Sequence, residues 1–116
     1  MKLTTALMGG LLFCCPTLLF AKEILIEERD TKYYYENQDV TGKNVDAAVG
    51  DTIKIVNNDT VLHDVNVTEA GKVLHDSDQK PKKQGGKDII IPLKEAGTVK
   101  LKCDIHPIMT LTVTVK

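Results

Sequence analysis

Three side chains that can bind a soft metal ion lie at successive three-residue steps near the end of the chain. They are Cys103, His106 and Met109, in the segment KCDIHPIM. A thiolate, an imidazole and a thioether suit copper and are poor ligands for magnesium or calcium. With Pro107 at its turn, one tight loop could point all three side chains into a common space. The segment therefore predicts a copper site that needs one more nitrogen ligand.

Two other histidines could supply this fourth ligand. His63 follows the turn-forming segment VNNDT and opens a predicted strand, so we expect it beside the end of a neighbouring strand. His75 lies in the polar segment HDSDQ, the most loop-like part of the chain. We therefore predict that His63 is a ligand and that His75 is a surface histidine.

Other uses of the same residues are possible. Burial alone could explain Cys103 and Met109, since both residue types fill β cores well. Zinc binds cysteine and histidine but gains nothing from methionine. Cys103 and a histidine could form a catalytic thiol and its base, but nothing in the sequence supplies an orienting residue. Covalent haem of the c type needs two cysteines before a histidine, and this segment has one. We therefore expect a metal site rather than an enzyme.

The first 21 residues have the pattern of a secretory signal peptide. Lys2 precedes an apolar run over residues 6–20, which ends before the charged pair at residues 22 and 23. The run is short for a transmembrane helix, which needs about 20 apolar residues. We predict cleavage after Ala21, export to the periplasm without stable membrane insertion, and one domain over residues 22–116.

Removal of this segment changes the cysteine and charge counts. Cys14 and Cys15 leave with it, so Cys103 can form no internal disulfide in the mature chain. A lone thiol in an oxidising compartment is open to oxidation, so we expect Cys103 to be buried or to bind a metal. The mature chain has 14 Lys or Arg against 16 Asp or Glu. It therefore lacks the broad basic surface that nucleic-acid binding needs.

Short segments with alternating β-branched residues predict the fold. The alternation directs Ile53 and Ile55, and likewise Val65 and Val67, towards the core. The same alternation sets Ile24 and Ile26 between charged neighbours and places Leu111, Val113 and Val115 on one face. Residues 33–44 predict an irregular connection, and the polar residues 72–87 predict a long loop. No segment has a helical stripe of apolar residues. Seven or eight short strands with turns between them predict an all-β protein, a Greek-key antiparallel β-sandwich.

Two segments resemble the cupredoxin family. Residues 50–65, GDTIKIVNNDTVLHDV, resemble the segment that carries the first histidine ligand in cupredoxins. Residues 96–109, AGTVKLKCDIHPIM, resemble the strand and loop that carry the other three ligands, with a spacing similar to that of amicyanin and its relatives. The resemblance implies one copper ion with three ligands in a plane and a weak axial thioether. In this chain the plane would consist of His63, Cys103 and His106, and the axial ligand would be Met109.

The resemblance also implies a function. A blue copper site transfers one electron between Cu(I) and Cu(II). The edge of His106 would reach the surface within an apolar patch, where unidentified redox donors and acceptors would dock. The residues available for this patch are Leu62, Ile105, Pro107 and Ile108. We therefore expect a monomeric periplasmic electron carrier. A periplasmic copper-binding or copper-tolerance protein on the same fold is the alternative.

Two aspartates depart from the family pattern. Asp64 stands where many relatives have asparagine, and Asp104 directly follows the cysteine. If the two carboxyls lie close together, their repulsion should raise the pKa of one of them. Their negative charge would favour Cu(II), lower the reduction potential, and could give a green or red site instead of a blue one.

Overall fold

The computed structural model describes residues 21–116, which form a sandwich of two five-stranded sheets. The predicted signal peptide, apart from Ala21, lies outside the described residues. The strands are β1 (Glu23–Arg29), β2 (Lys32–Tyr35), β3 (Gln38–Asp39), β4 (Asn44–Ala47), β5 (Thr52–Asn57), β6 (His63–Glu69), β7 (Lys72–Gln79), β8 (Ile89–Pro92), β9 (Gly97–Lys102) and β10 (Thr110–Val115). A short 3-10 helix spans Lys82–Gln84. Within this part of the chain, no helix has the length and apolar character that crossing a membrane requires.

The order of the strands makes the chain pass repeatedly from one sheet to the other. One sheet has the order β3-β2-β1-β5-β8, and the other has the order β4-β10-β9-β6-β7. Chain segments cross between the sheets after β3, β4, β5, β7 and β8, as in Greek-key sandwiches. The prediction of a β-sandwich is therefore confirmed. The sheets are mixed rather than purely antiparallel, because β1 pairs with β5 in parallel and β4 pairs with β10 in parallel.

Ten strands form within residues 21–116, where seven or eight were predicted, because two predicted connections contain paired strands. Residues 33–44 include a hairpin of β2 and β3, turned by Glu36 and Asn37 with φ of 50° and 66°. Positive φ at both central residues is typical of a two-residue hairpin turn. The second wrong prediction is the loop over residues 72–87, of which the first half is β7. This strand lies at a sheet edge and is exposed over most of its length, so it carries little of the alternation that marks a half-buried strand.

The core between the sheets is made mainly of isoleucine, valine and leucine. Alternate residues of β1, β5, β6 and β10 are buried there as predicted, and Tyr33 is the large aromatic side chain among them. The buried set includes Ile24, Ile26, Ile53, Ile55, Val65, Val67, Leu111, Val113 and Val115. Cys103 and Met109 belong to the same cluster. These two predicted metal ligands are therefore part of the apolar core.

Truncation of a core side chain should cost far more stability than truncation of its neighbour on the same strand. Ile26 is fully buried, whereas Leu25 points outward and is 41% exposed. We expect Ile26→Ala to lower the free energy of unfolding by about 3 kcal/mol, because it leaves a cavity in the core. Leu25→Ala should change it by about 0.5 kcal/mol. Urea unfolding of the two variants measures both changes in stability. Equal losses would contradict the observation that Ile26 points into the core and Leu25 points out of it.

Candidate metal centre

The loop between β5 and β6 holds His63 in place through buried hydrogen bonds. The side-chain amide of Asn57 donates to the carbonyl of Val61 at 3.0 Å and to that of Gln79 at 2.9 Å. Gln79 in turn donates to the carbonyl of Ile55 at 2.9 Å. Asn57 and Gln79 are both buried. Because these amides tie the loop to β5 and β7, the first residue of β6 has a fixed position.

The loop between β9 and β10 carries the other candidate ligands and is closed by two backbone hydrogen bonds. The N–H of Cys103 donates to the carbonyl of Met109 at 3.1 Å, and the N–H of Met109 donates to that of His106 at 2.8 Å. These bonds leave a tight turn around Pro107. Cys103 is buried at its start, His106 is half-buried, and Met109 is fully buried at its end. The turn therefore directs the ends of the segment inward.

The structure brings His63, Cys103 and His106 together. The Sγ atom of Cys103 lies 3.8 Å from Nδ1 of His63 and 3.5 Å from Nδ1 of His106. Each residue of this group offers one ligand atom, and these atoms all lie within 4.8 Å of one another. The two rings meet edge to face, with their centroids 4.9 Å apart.

These separations fit a single metal ion. Nitrogen and thiolate ligands bind metals of this kind at about 2.0 and 2.3 Å. Three such ligands spread evenly in a plane are therefore about 3.5 to 3.7 Å apart. The two distances to Cys103 Sγ match this spacing. One thiolate and two imidazoles, with a buried thioether on the same loop, form a donor set that suits one copper ion.

Asp59 fixes which nitrogen of His63 can bind a metal. Its carboxylate lies 3.0 Å from Nε2 of His63. An ionised carboxylate only accepts hydrogen bonds, so Nε2 carries the proton and Nδ1 is free to face Cys103. Burial lowers the pKa of His63 despite the nearby charge of Asp59. The imidazole is therefore held neutral, the form that metals bind.

Asp59 stays ionised although it is partly buried. Burial raises the pKa of this carboxyl, but backbone N–H groups of Thr31 and Thr60, together with His63, outweigh that effect and lower it below its usual value. The N–H of Thr31 donates to Asp59 at 2.8 Å. A carboxylate that orients a ligand histidine in this way also makes the imidazole a more basic ligand.

Asp64 contacts the cysteine through its backbone. Its N–H donates to Sγ of Cys103 at 3.3 Å, which links the two ligand segments and withdraws charge from the sulfur. Burial and the adjacent carboxyl of Asp104 raise the pKa of Asp64, and the charges of Asp76 and Asp78 add to this. The predicted interaction between Asp64 and Asp104 is therefore confirmed.

Two other residues considered as possible ligands, His75 and Met109, do not belong to the three-residue cluster. His75 is away from the cluster, where its Nε2 lies 2.7 Å from the hydroxyl of Ser77. Met109 is buried beside the cluster in the core, and its role as a ligand stays a prediction. Asp59 was missed. Its only signal was its place four residues before His63 in a turn, which many aspartates share.

Comparison with solved structures shows similar folds among copper proteins. A mutant of amicyanin in its Cu(I) state matches with a TM-score of 0.63 and 22% identity, over 81% of this chain and 82% of that chain. Amicyanin from Paracoccus versutus matches with a TM-score of 0.62 and 20% identity, over 81% of each chain. A purple cupredoxin from Nitrosopumilus maritimus matches with a TM-score of 0.57 and 28% identity, over 80% of this chain and 99% of that chain.

These matches show that the chain has the cupredoxin fold. No protein-family model matches the sequence, and no curated protein matches it either. Copper is therefore inferred from the donor atoms of this chain, one thiolate sulfur and two imidazole nitrogens that lie close together.

We expect the substitution Asp64→Asn to raise the reduction potential of the copper-loaded protein. Loss of a negative charge next to the site makes Cu(I) easier to form, while the backbone N–H to Cys103 remains. The difference from the wild type should increase with pH, because the raised pKa of Asp64 delays its ionisation. Voltammetry between pH 5 and 9 measures this. Asp46→Asn, an exposed position on β4, is the control, and a potential that Asp64→Asn leaves unchanged at every pH would contradict the prediction.

Proposed function

We propose that this protein is an exported electron carrier that binds one copper ion through His63, Cys103, His106 and Met109. The observation that carries the proposal is the convergence of one cysteine sulfur and two imidazole nitrogens, with the sulfur 3.8 and 3.5 Å from the two nitrogens. The bound copper would supply a one-electron couple between Cu(I) and Cu(II). The cupredoxin fold supports the proposal, and so does the signal-like pattern of residues 1–21.

The protein would contribute a site that changes little between the two states. His63 is held by Asp59, and Cys103 is held by the N–H of Asp64 and by its own backbone hydrogen bond to Met109. Met109 is fully buried, and its backbone carbonyl accepts from the N–H of Cys103 at 3.1 Å. Because these groups are fixed before metal binding, little rearrangement is needed when the charge at the site changes.

An apolar surface around His106 would form the docking site for a redox partner. Leu62 is 39% exposed, Ile105 is 49% exposed and Ile108 is 75% exposed, and the neighbouring Pro107 is exposed as well. Exposed aliphatic side chains clustered in this way are typical of interaction sites. Half-buried His106 lies on the same loop and is the candidate ligand nearest to solvent. We propose that redox partners dock here and that electrons pass through His106.

Electron self-exchange tests this function without an identified partner. In a mixture of Cu(I) and Cu(II) protein, an electron carrier should exchange electrons between copies, which broadens NMR signals of the reduced form near the site. The broadening should increase with the oxidised fraction while copper stays bound. Absence of exchange, together with rapid loss of copper to a chelator, would instead support the handling of copper.

The substitution Ile108→Lys should slow this self-exchange at least tenfold at low salt. It puts a charge at the most exposed residue of the apolar patch, so two copies repel where they must meet. Val73→Lys is the matched control, because Val73 is 58% exposed at the start of β7, away from the metal centre. Equal rates in both variants would show that electrons leave by another surface. The copper spectrum should be the same in all three proteins.

A further inference from the structure

Glu28 is a carboxyl group buried in the core without a hydrogen-bond partner. Its side chain is fully buried at the end of β1, and neither of its carboxyl oxygens has a partner among the described residues. Burial of an ionised carboxylate in such a position is costly, so the neutral, protonated form is favoured up to a higher pH. Burial, with a contribution from the charge of Asp59, raises the pKa of Glu28 to about 8.

The position of Glu28 connects it to the metal centre. It pairs with Asn57 across β1 and β5, and its carbonyl accepts from the N–H of Asn58 at 2.9 Å. The next residue is Asp59, whose carboxylate accepts the proton of His63 Nε2 at 3.0 Å. Asp59 therefore connects the surroundings of Glu28 to the buried histidine, and its charge acts on the Glu28 carboxyl from the loop after β5.

The groups around Glu28 do not neutralise its charge. From β2 it faces Tyr33, whose hydroxyl is also buried without a partner among the described residues. Burial and the charge of Glu28 raise the pKa of Tyr33, with Cys103 and Asp64 adding to the effect, so the phenol stays neutral. From the loop after β5 it faces ionised Asp59. The adjacent Arg29 lies outside the core, where its guanidinium covers the ring of Tyr34 at 3.8 Å and donates to Asn37.

We propose that Glu28 is the group that takes up a proton when the metal centre is reduced, which links the reduction potential to pH. This inference rests on the proposed function. In this step a reduced donor would supply the one electron that bound copper takes up, and a proton from solvent would form an O–H bond on the Glu28 carboxylate. No other bond forms or breaks. Reduction lowers the positive charge of the metal centre by one. The ionised form of Glu28 then becomes less favourable, so the proton affinity of its carboxylate increases.

The first test uses the metal-free wild-type protein. We expect the carboxyl carbon signal of Glu28, in NMR of protein labelled with carbon-13, to titrate near pH 8, far above the ordinary range of glutamate. A titration near pH 4 to 5 would overturn the proposal. This result does not depend on whether copper binds, so a failure of the proposed function is distinguishable from a failure of the role of Glu28.

The second test measures the potential of the copper-loaded protein between pH 6.5 and 9.5. The wild-type potential should fall as the pH rises through the titration of Glu28, because reduction then requires uptake of a proton. Glu28→Gln, which keeps the size of the side chain but cannot ionise, should lose the fall that accompanies the titration of Glu28, so that the pH dependence from Asp64 is what remains. Glu23→Gln, at an exposed position on the same strand, should keep the wild-type slope. A wild-type slope retained in Glu28→Gln would overturn the proposal.

Discussion

The register between β6 and β9 is the constraint on which the metal centre depends. The pairing of Asn66 with Lys102 fixes how far each strand runs, so that His63 and Cys103 meet at the same end of the sheet. The N–H of Asp64 then donates to the cysteine sulfur across this junction. A shift by one residue would turn His63 outward, since neighbouring side chains on a strand point to opposite faces. The apolar residues Val65 and Val67 prevent such a shift, because it would bring them into water.

A second set of interactions holds polar groups where the core would otherwise exclude them. Asn57 and Gln79 hydrogen-bond to backbone carbonyls of the loop and the neighbouring strands, and Asp59 accepts from the backbone and from His63. Each of these polar groups would be costly to bury without its partners. Glu28 has no partner among the described residues, and burial raises its pKa instead. The apolar core thus excludes water from the site, while this polar cluster determines the orientation and charge of its buried histidine.

The sequence was sufficient for the sandwich, because it follows from short-range patterns. It was also sufficient for the meeting of three candidate ligands, because two segments resemble those that carry the ligands in cupredoxins. Alternating β-branched residues predicted the buried faces of β5, β6 and β10, and the strand that begins at His63 followed from the turn before it. It was insufficient for β7, since an edge strand with exposed polar residues resembles a loop. It also could not show Asp59 or Glu28 beside the site, since their roles arise from tertiary contacts between segments about thirty residues apart. The parallel pairs of strands were missed for the same reason.

The visible absorption and electron paramagnetic resonance spectra of the mature protein loaded with Cu(II) test the central claim most directly. If Cys103 and the two histidines bind copper as a plane, the protein will have a strong visible band from the thiolate, and Cys103→Ser will abolish it. The same substitution should leave the β-sheet circular dichroism unchanged. A colourless protein that binds Cu(II) with the spectrum of a square-planar nitrogen and oxygen site, or does not bind it, would contradict the account.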